Sequence, residues 1–411
     1  MAFLNETRLK VYPRLFLIAL WGVMLVNVAF HRGWVGRFGG IIGVDFMCLY
    51  GSGLIYRADI SQLYNIEAHA VLQQALVSPT PLNGTVNIFP YPPYSAMAFT
   101  LFSLLPLADA YAVYVIFLFL FAMIAVVLIH RYILPAEVTK NLTILQLSIV
   151  IFSSLPFLLC IFFGQNSNLT LLLMTLIVIA CLKEKWLYAG FFAGLLLYKP
   201  HFALGFVILW LAWKRWDALA SFSALALAWI AGVVLQHGWA PFQAYLSALP
   251  QFMDFPYVPG LKLGVTPYAF FLTLIPPAYT QIVKLGYTVA MIGLCLYLAW
   301  AAYTAKPLSA VHRTSVLALA SIAPFLISPN ILIYDLVLWV VPLALWARLN
   351  PSRKLLWLVT FTYLGALILP ALTRLMPLHL LAIIPLTLAA FFLRELPGWR
   401  TLSPGQVSEA A

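Results

Sequence analysis

Of the 411 residues, 64% are hydrophobic and 9% charged, against about 25% charged and 45–50% apolar in soluble domains. So few charges cannot cover a water-facing surface, and apolar runs recur along the whole length. A soluble protein is excluded and an all-α polytopic membrane protein is left. The formal net charge of +11 comes from lysines and arginines scattered in ones and twos, without the basic stripe that a nucleic-acid partner requires.

From the N-terminus, Arg8, Lys10 and Arg14 precede an apolar run at 15–30, and His31-Arg32-Gly33-Trp34 follow without a small-residue cleavage site. This reads as an uncleaved first membrane helix. With that span at 11–30, further spans are predicted at 108–129, 142–162, 167–182, 186–198, 202–213, 218–236, 279–305, 314–327, 331–347, 355–369 and 377–393, about twelve in all. Several fall short of the roughly 20 residues of a full crossing; these are half-helices or spans whose ends lie further out. With the N-terminus in the cytoplasm, sixteen of the 23 Lys and Arg fall inside, and seven (Arg32, Arg37, Arg57, Lys199, Lys262, Lys284 and Arg374) fall outside. The positive-inside bias therefore predicts that both termini are cytoplasmic.

Two outer segments are long, 31–107 and 237–278. In the first, 45–56 and 61–77 read as short juxtamembrane helices, the second with Ser61 as N-cap. The stretch 95–105 reads as an interfacial or re-entrant piece. No repeat divides the chain, so 1–400 is one membrane domain, and 401–411 reads as a disordered tail. Cys48, Cys160, Cys181 and Cys295 show no paired spacing, which argues for apolar packing rather than a disulfide framework or a zinc site.

This topology gathers the polar residues on the outer face. They are Gly43-Val44-Asp45-Phe46 with 50–59, Phe89-Pro90-Tyr91-Pro92-Pro93, Phe163-Gly164-Gln165-Asn166-Ser167-Asn168, Tyr198-Lys199-Pro200-His201, and Ser328-Pro329-Asn330 through Tyr334-Asp335. The cytoplasmic turns hold only ordinary charged connectors.

Asp45 stands among apolar neighbours. A carboxylate near the membrane surface is costly unless paired or working, and partial burial raises its pKa toward that of a general base. The alternative is a helix cap, its oxygen accepting a backbone N–H of the helix that follows. Lys199 precedes Pro200, which breaks the helix and displays the ammonium as a phosphate contact; the alternative is a snorkelling interfacial lysine. His201 reads as structural ahead of catalytic. Gln165, Asn166 and Asn168 form a hairpin tip whose amides bind sugar hydroxyls or cap the second helix. Tyr91-Pro92-Pro93 imposes an extended stretch, either a binding element or a rigid membrane-entry turn. Asn330 opens the stretch that leads to Asp335, which sits one turn into a span and is expected to pair with Lys199, Lys262 or another cation. Arg37, Arg57, Lys262 and Arg374 are the remaining outer cations that a phosphate can meet. Trp239, Tyr245, Phe252 and Tyr257 stack on sugars or form an aromatic belt.

In order and in residue type, Gly43-Val44-Asp45-Phe46, Phe89-Pro90-Tyr91-Pro92-Pro93, Phe163-Gly164-Gln165-Asn166, Ala193-Gly194 through Lys199-Pro200, and Ser328-Pro329 resemble glycosyltransferase family 87. This family of bacterial membrane enzymes includes polyprenol-phosphate-mannose-dependent mannosyltransferases. The resemblance spans roughly residues 10–350. It implies a GT-C fold, a polyprenyl-phosphate sugar as donor with no further cofactor, and an inverting transfer to a glycolipid or glycan acceptor on the periplasmic side of a bacterial inner membrane. It also implies that Asp45 is the catalytic base. The chain departs from the actinobacterial mannosyltransferases, which often carry histidine after the Ser-Pro motif where this chain reads Asn330. That bears on sugar and acceptor more than on reaction class.

One base suffices for inversion, whereas retention needs a second carboxylate as nucleophile. Phosphate leaves without a general acid, so cations that hold its charge are enough, Lys199 first. No Asp-x-Asp or Glu-x-Asp pair lies near Asp45, so no divalent metal is implied. A lipid-linked-sugar flippase or transporter is the rival class, since broken helices near the membrane suit it, but neither inverted repeats nor midplane charges are present. A variant of the enzyme reading changes the sugar, for example to arabinose.

Overall fold

The computed structural model describes residues 6–82, 86–254, 263–304, 309–349, 353–376 and 378–395. Among them there is no β-strand, only isolated bridges, one of which joins Gly264 to Leu332. The first outer segment follows α1 (Glu6–Ala29) and carries α2 (Val44–Ala58), α3 (Ile66–Val77) and α4 (Pro93–Phe99). Next come α5 (Leu107–Leu128), α6 (Ala136–Thr139), α7 (Ile144–Phe152), α8 (Leu155–Phe163), α9 (Ser167–Leu182), α10 (Trp186–Leu195), α11 (Pro200–Ala212) and α12 (Trp216–His237). The second outer segment carries α13 (Ala240–Asp254) and α14 (Pro267–Leu274). It is followed by α15 (Thr280–Thr304), α16 (Ala310–Ile327), α17 (Val340–Leu349), α18 (Arg353–Leu375) and α19 (Ile383–Glu395).

Six helices are long and apolar enough to cross a membrane: Val11–Ala29, Leu107–Ile133, Trp216–His237, Pro277–Thr304, Ala310–Ile327 and Lys354–Thr373. The predicted span at 142–162 is a broken pair, α7 and α8, bent by 67°. Those at 167–182, 186–198, 202–213 and 377–393 are apolar helices shorter than a full crossing. The one expected at 331–347 is the 3-10 turn Ile333–Trp339 followed by the short α17. The twelve predicted spans thus resolve into six or seven of crossing length and five shorter pieces among the described residues.

The break at Ser153-Ser154 precedes Pro156, which has no N–H for the Phe152 carbonyl, so backbone carbonyls there need partners from elsewhere. Trp21 Nε1 donates to the Phe152 carbonyl at 2.8 Å, and the Tyr363 hydroxyl donates to the Ser153 carbonyl at 2.7 Å. Ser154 then caps α8 through the Phe157 N–H. Helices α1 and α18 therefore supply the polar groups that the kink needs.

In the first outer segment the second short helix begins later than expected. Asn65, not Ser61, caps α3, its side chain accepting from the Glu67 and Ala68 N–H groups. Ser61 instead lies in the 3-10 turn Ile60–Gln62, capped by Asp59. The stretch after α4 is indeed short, and it turns Leu101 and Leu104 outward. Cys48, Cys160 and Cys181 are buried and Cys295 is half-buried. The tail at 401–411 lies outside the described residues.

Candidate functional site

Two glycines with left-handed backbones bring distant segments together at one end of the helices. Gly43 (φ 67°) starts α2, and its N–H donates to the Phe162 carbonyl at 2.8 Å. Gly164 (φ 69°) ends α8, while the Gln165 N–H returns to the Cys160 carbonyl at 2.9 Å. This is the C-terminal turn that favours a residue without Cβ. A Cβ on Gly164 would lie 2.5 Å from the Phe46 Cβ, so glycine is also what lets the hairpin tip lie against α2. Gln165 is thereby placed beside Asp45.

Asp45 sits in the first turn of α2, and the N-cap position belongs to Gly43, which makes no side-chain cap bond. The capping alternative is thus set aside: the half-buried carboxylate receives side-chain amides instead. Asn87 Nδ2 donates to Oδ1 at 2.5 Å, and Gln165 Nε2 donates to Oδ2 at 3.3 Å. The orientation of the Gln165 amide follows from its neighbours. The Asn166 backbone N–H can only donate, so the atom it meets at 2.9 Å must be Oε1. Tyr91 also donates to that oxygen, at 3.1 Å, and Nε2 reaches both Asp45 and the Tyr334 hydroxyl, the latter at 2.9 Å. Burial pushes the Asp45 carboxyl up to about 7. The Lys199 ammonium and the two amides oppose that rise, and Asp335 adds to it.

A second, deeper group adjoins the first. Lys199 Nζ lies 2.9 Å from Asp335 Oδ1, and Ser167 Oγ donates to the same oxygen at 2.6 Å. Lys199 follows the 3-10 turn Leu196–Tyr198, and Pro200 opens α11 at the predicted break. Both charged side chains are buried, at 6% and 4% exposure. Asp335 therefore pairs with Lys199, as anticipated, but Lys199 is not displayed to solvent. One of its three N–H donors is already spent on Asp335. The two groups share the chain segments 165–167 and 334–335, which places Asp45 and the ion pair in one polar cluster.

Other predicted site residues divide. Asn166 and Asn168 are buried at the start of α9, and the Asn166 side chain makes no cap bond although it holds the N-cap position. Among the described residues, both polar atoms of the Asn168 amide lack a hydrogen-bond partner, as does Asn166 Oδ1. His201 packs on Phe202 with ring centroids 4.4 Å apart, and its Nε2 is unpartnered among the described residues. Asn330 is half-buried and donates to the Phe252 carbonyl at 2.7 Å, which ties α13 to the stretch before Asp335. Arg37 is exposed on the turn after α1, its backbone N–H bonded to the Asn27 carbonyl, and no contact joins its side chain to the cluster among the described residues. Arg57 reaches toward the Ser103 carbonyl at 3.4 Å. Lys262, Tyr257 and the side chain of Arg374 lie outside the described residues. Tyr245 and Phe252 pack on Tyr64 at 5.6 and 6.2 Å between centroids. Trp239 stacks on Phe242 and is 53% exposed.

The sequence reading missed Asn87, Gln73, Tyr334 and Ser167 as site residues. Gln73, fully buried on α3, bonds both backbone groups of Asn87. Ser167 and Tyr334 stood inside quoted motifs, so their neighbours were the available signal. Asn87 and Gln73 carried none.

The sequence model of glycosyltransferase family 87 matches residues 89–329. That stretch holds Tyr91, Gln165, Asn166, Asn168, Lys199 and His201, while Asp45, Asn330 and Asp335 fall outside it. No curated protein gives a significant match.

Proposed function

The chain belongs to glycosyltransferase family 87, and from that premise we propose that it transfers a sugar, mannose first, from a polyprenyl-phosphate donor. The acceptor is a glycolipid or glycan at the periplasmic face of a bacterial inner membrane, within a GT-C fold. Asp45 takes the proton of an acceptor hydroxyl as that oxygen attacks the anomeric carbon from the face opposite the phosphate. The anomeric carbon–oxygen bond breaks, its electron pair leaves with polyprenyl phosphate, and the configuration inverts. Lys199, with two N–H donors beyond the one given to Asp335, is the first candidate for the phosphate; Arg37, Lys262 and Arg374 are the others. Asn168, with both amide atoms unpartnered among the described residues, and Asn166, with Oδ1 unpartnered there, are the first candidates for sugar hydroxyls, ahead of Tyr91, His201 and Asn330. The Gln165 amide already meets four partners, so its role is to hold Asp45.

The observation that carries this reading is a half-buried carboxylate, bonded by two neutral amides among the described residues, whose pKa of about 7 suits a base at neutral pH. The test is transfer of labelled sugar from polyprenyl-phosphate mannose in membranes carrying Asp45→Asn. Loss of a positioned general base is expected to slow transfer by about 10²–10⁴-fold. Transfer at the wild-type rate would remove Asp45 from the mechanism. Movement of intact donor across the bilayer without a new glycosidic bond would favour the flippase.

A further inference from the structure

We propose that Gln73 and Asn87 are positioning residues for Asp45, a clamp through which α3 fixes the orientation of the carboxylate. The proposal rests on the reading of Asp45 above. Gln73 is fully buried and spends its amide on one residue. Its Nε2 donates to the Asn87 carbonyl at 2.6 Å, and its Oε1 accepts the Asn87 N–H at 3.1 Å. These two bonds hold the Asn87 backbone as a strand partner would. The side chain of Asn87 is thereby aimed inward, where Nδ2 meets Asp45 Oδ1 at 2.5 Å and the Val44 carbonyl at 3.4 Å. Burying a glutamine is costly unless every polar atom is met. Here the bonds that meet it all lead to Asn87, one of the two residues whose amides hold Asp45.

A donor to an ionised carboxylate gives more than a neutral hydrogen bond, so the clamp favours the charged form while fixing its direction. Gln165 does the same from the opposite oxygen. The charged groups facing Asp45 are Lys199, which lowers its pKa, and Asp335, which raises it. Tyr91, Tyr111, Tyr334 and Cys48 are the neutral titratable neighbours.

The test needs no substrate. Infrared titration of the full-length protein in detergent follows the protonated-carboxyl band that Asp45→Asn removes. The wild-type midpoint is expected near 7. Asn87→Ala is expected to raise it by about one to two pH units and Gln73→Ala by less, while the double variant titrates with Asn87→Ala alone, because Gln73 acts only through Asn87. An unmoved midpoint in Asn87→Ala, or a Gln73→Ala shift that persists in full without the Asn87 amide, overturns the clamp. Should Asn87→Ala fail to fold by thermal unfolding, Gln73→Ala must still raise the midpoint, and an unmoved value there overturns the proposal equally. Sugar transfer by Asp45→Asn would sink the base assignment without touching this titration, so the two failures are distinguishable.

Discussion

At Asp45, burial and hydrogen bonding pull in opposite directions, and burial wins. The folded carboxyl keeps its proton up to about pH 7, whereas its ordinary value is 3.8. Between those values the folded state holds more protons than the unfolded one, so stability falls as pH rises through that window and levels off above it. Transfer, which needs the ionised base, rises over the same window. Thermal unfolding of the detergent-solubilised protein from pH 4 to 8 is therefore expected to show a downward slope that Asp45→Asn reduces. An identical slope in both proteins would contradict the raised pKa. The Lys199–Asp335 pair makes a different demand, because removing one partner strands a buried charge. Asp335→Ala is expected to cost about 3–5 kcal/mol, and Lys199→Met with Asp335→Leu less than the single change. Equal unfolding midpoints for Asp335→Ala and the wild type would show that the pair contributes nothing. The pairing of Asp335 was legible from the sequence, since an acidic residue inside an apolar span must find a cation. The burial of Lys199 was not, because a lysine before proline at a helix end reads the same whether its ammonium faces water or a carboxylate.

The elements themselves were legible wherever the chain announces a break. Pro200 opens a helix and Gly164 ends one where their backbone chemistry requires it, and the six long spans follow from apolar runs. The kink between α7 and α8 is marked in the sequence by Pro156 alone, which has no N–H for the Phe152 carbonyl and opens α8, and the expectation of one span at 142–162 passed over it. Helices α1 and α18 carry the donors that meet the carbonyls freed there. Asn87 in a loop and Gln73 on α3 were not legible, because single amides carry no period or motif and only the folded chain shows that they meet. At the kink, Trp21→Phe and Tyr363→Phe each remove one donor to a freed carbonyl. Each is expected to lower stability by about 1 kcal/mol. Unfolding in a denaturing detergent titration reads the loss, and no loss in either variant would mean that the carbonyls find other partners.

Across the whole molecule, α9 and α16 give the polarity its direction. Helix α9 starts at Ser167, which bonds Asp335, and ends at Leu182, next to Lys183 stacked 3.9 Å above the Tyr132 ring. Helix α16 begins beside Arg313, paired with Glu184 at 2.6 Å, and ends at Ile327, ahead of the Ser328-Pro329 turn. One end of the bundle therefore holds the buried polar cluster, and the other holds cations that pair at the rim. The positive-inside bias of lysine and arginine along the sequence gives the expectation that this cationic rim faces the cytoplasm and Asp45 the other side. Two exposed positions separate these sides, Ser61 in the first outer segment and Lys185 after α9. In a chain whose four cysteines are replaced by alanine, Ser61→Cys is expected to react with a membrane-impermeant maleimide in intact spheroplasts. Lys185→Cys is expected to react only after permeabilisation. The reverse pattern would place the cluster in the cytoplasm and require the donor lipid to present its sugar on that side, whereas the expected pattern leaves the acceptor hydroxyl, the donor headgroup and Asp45 on the same side of the bilayer.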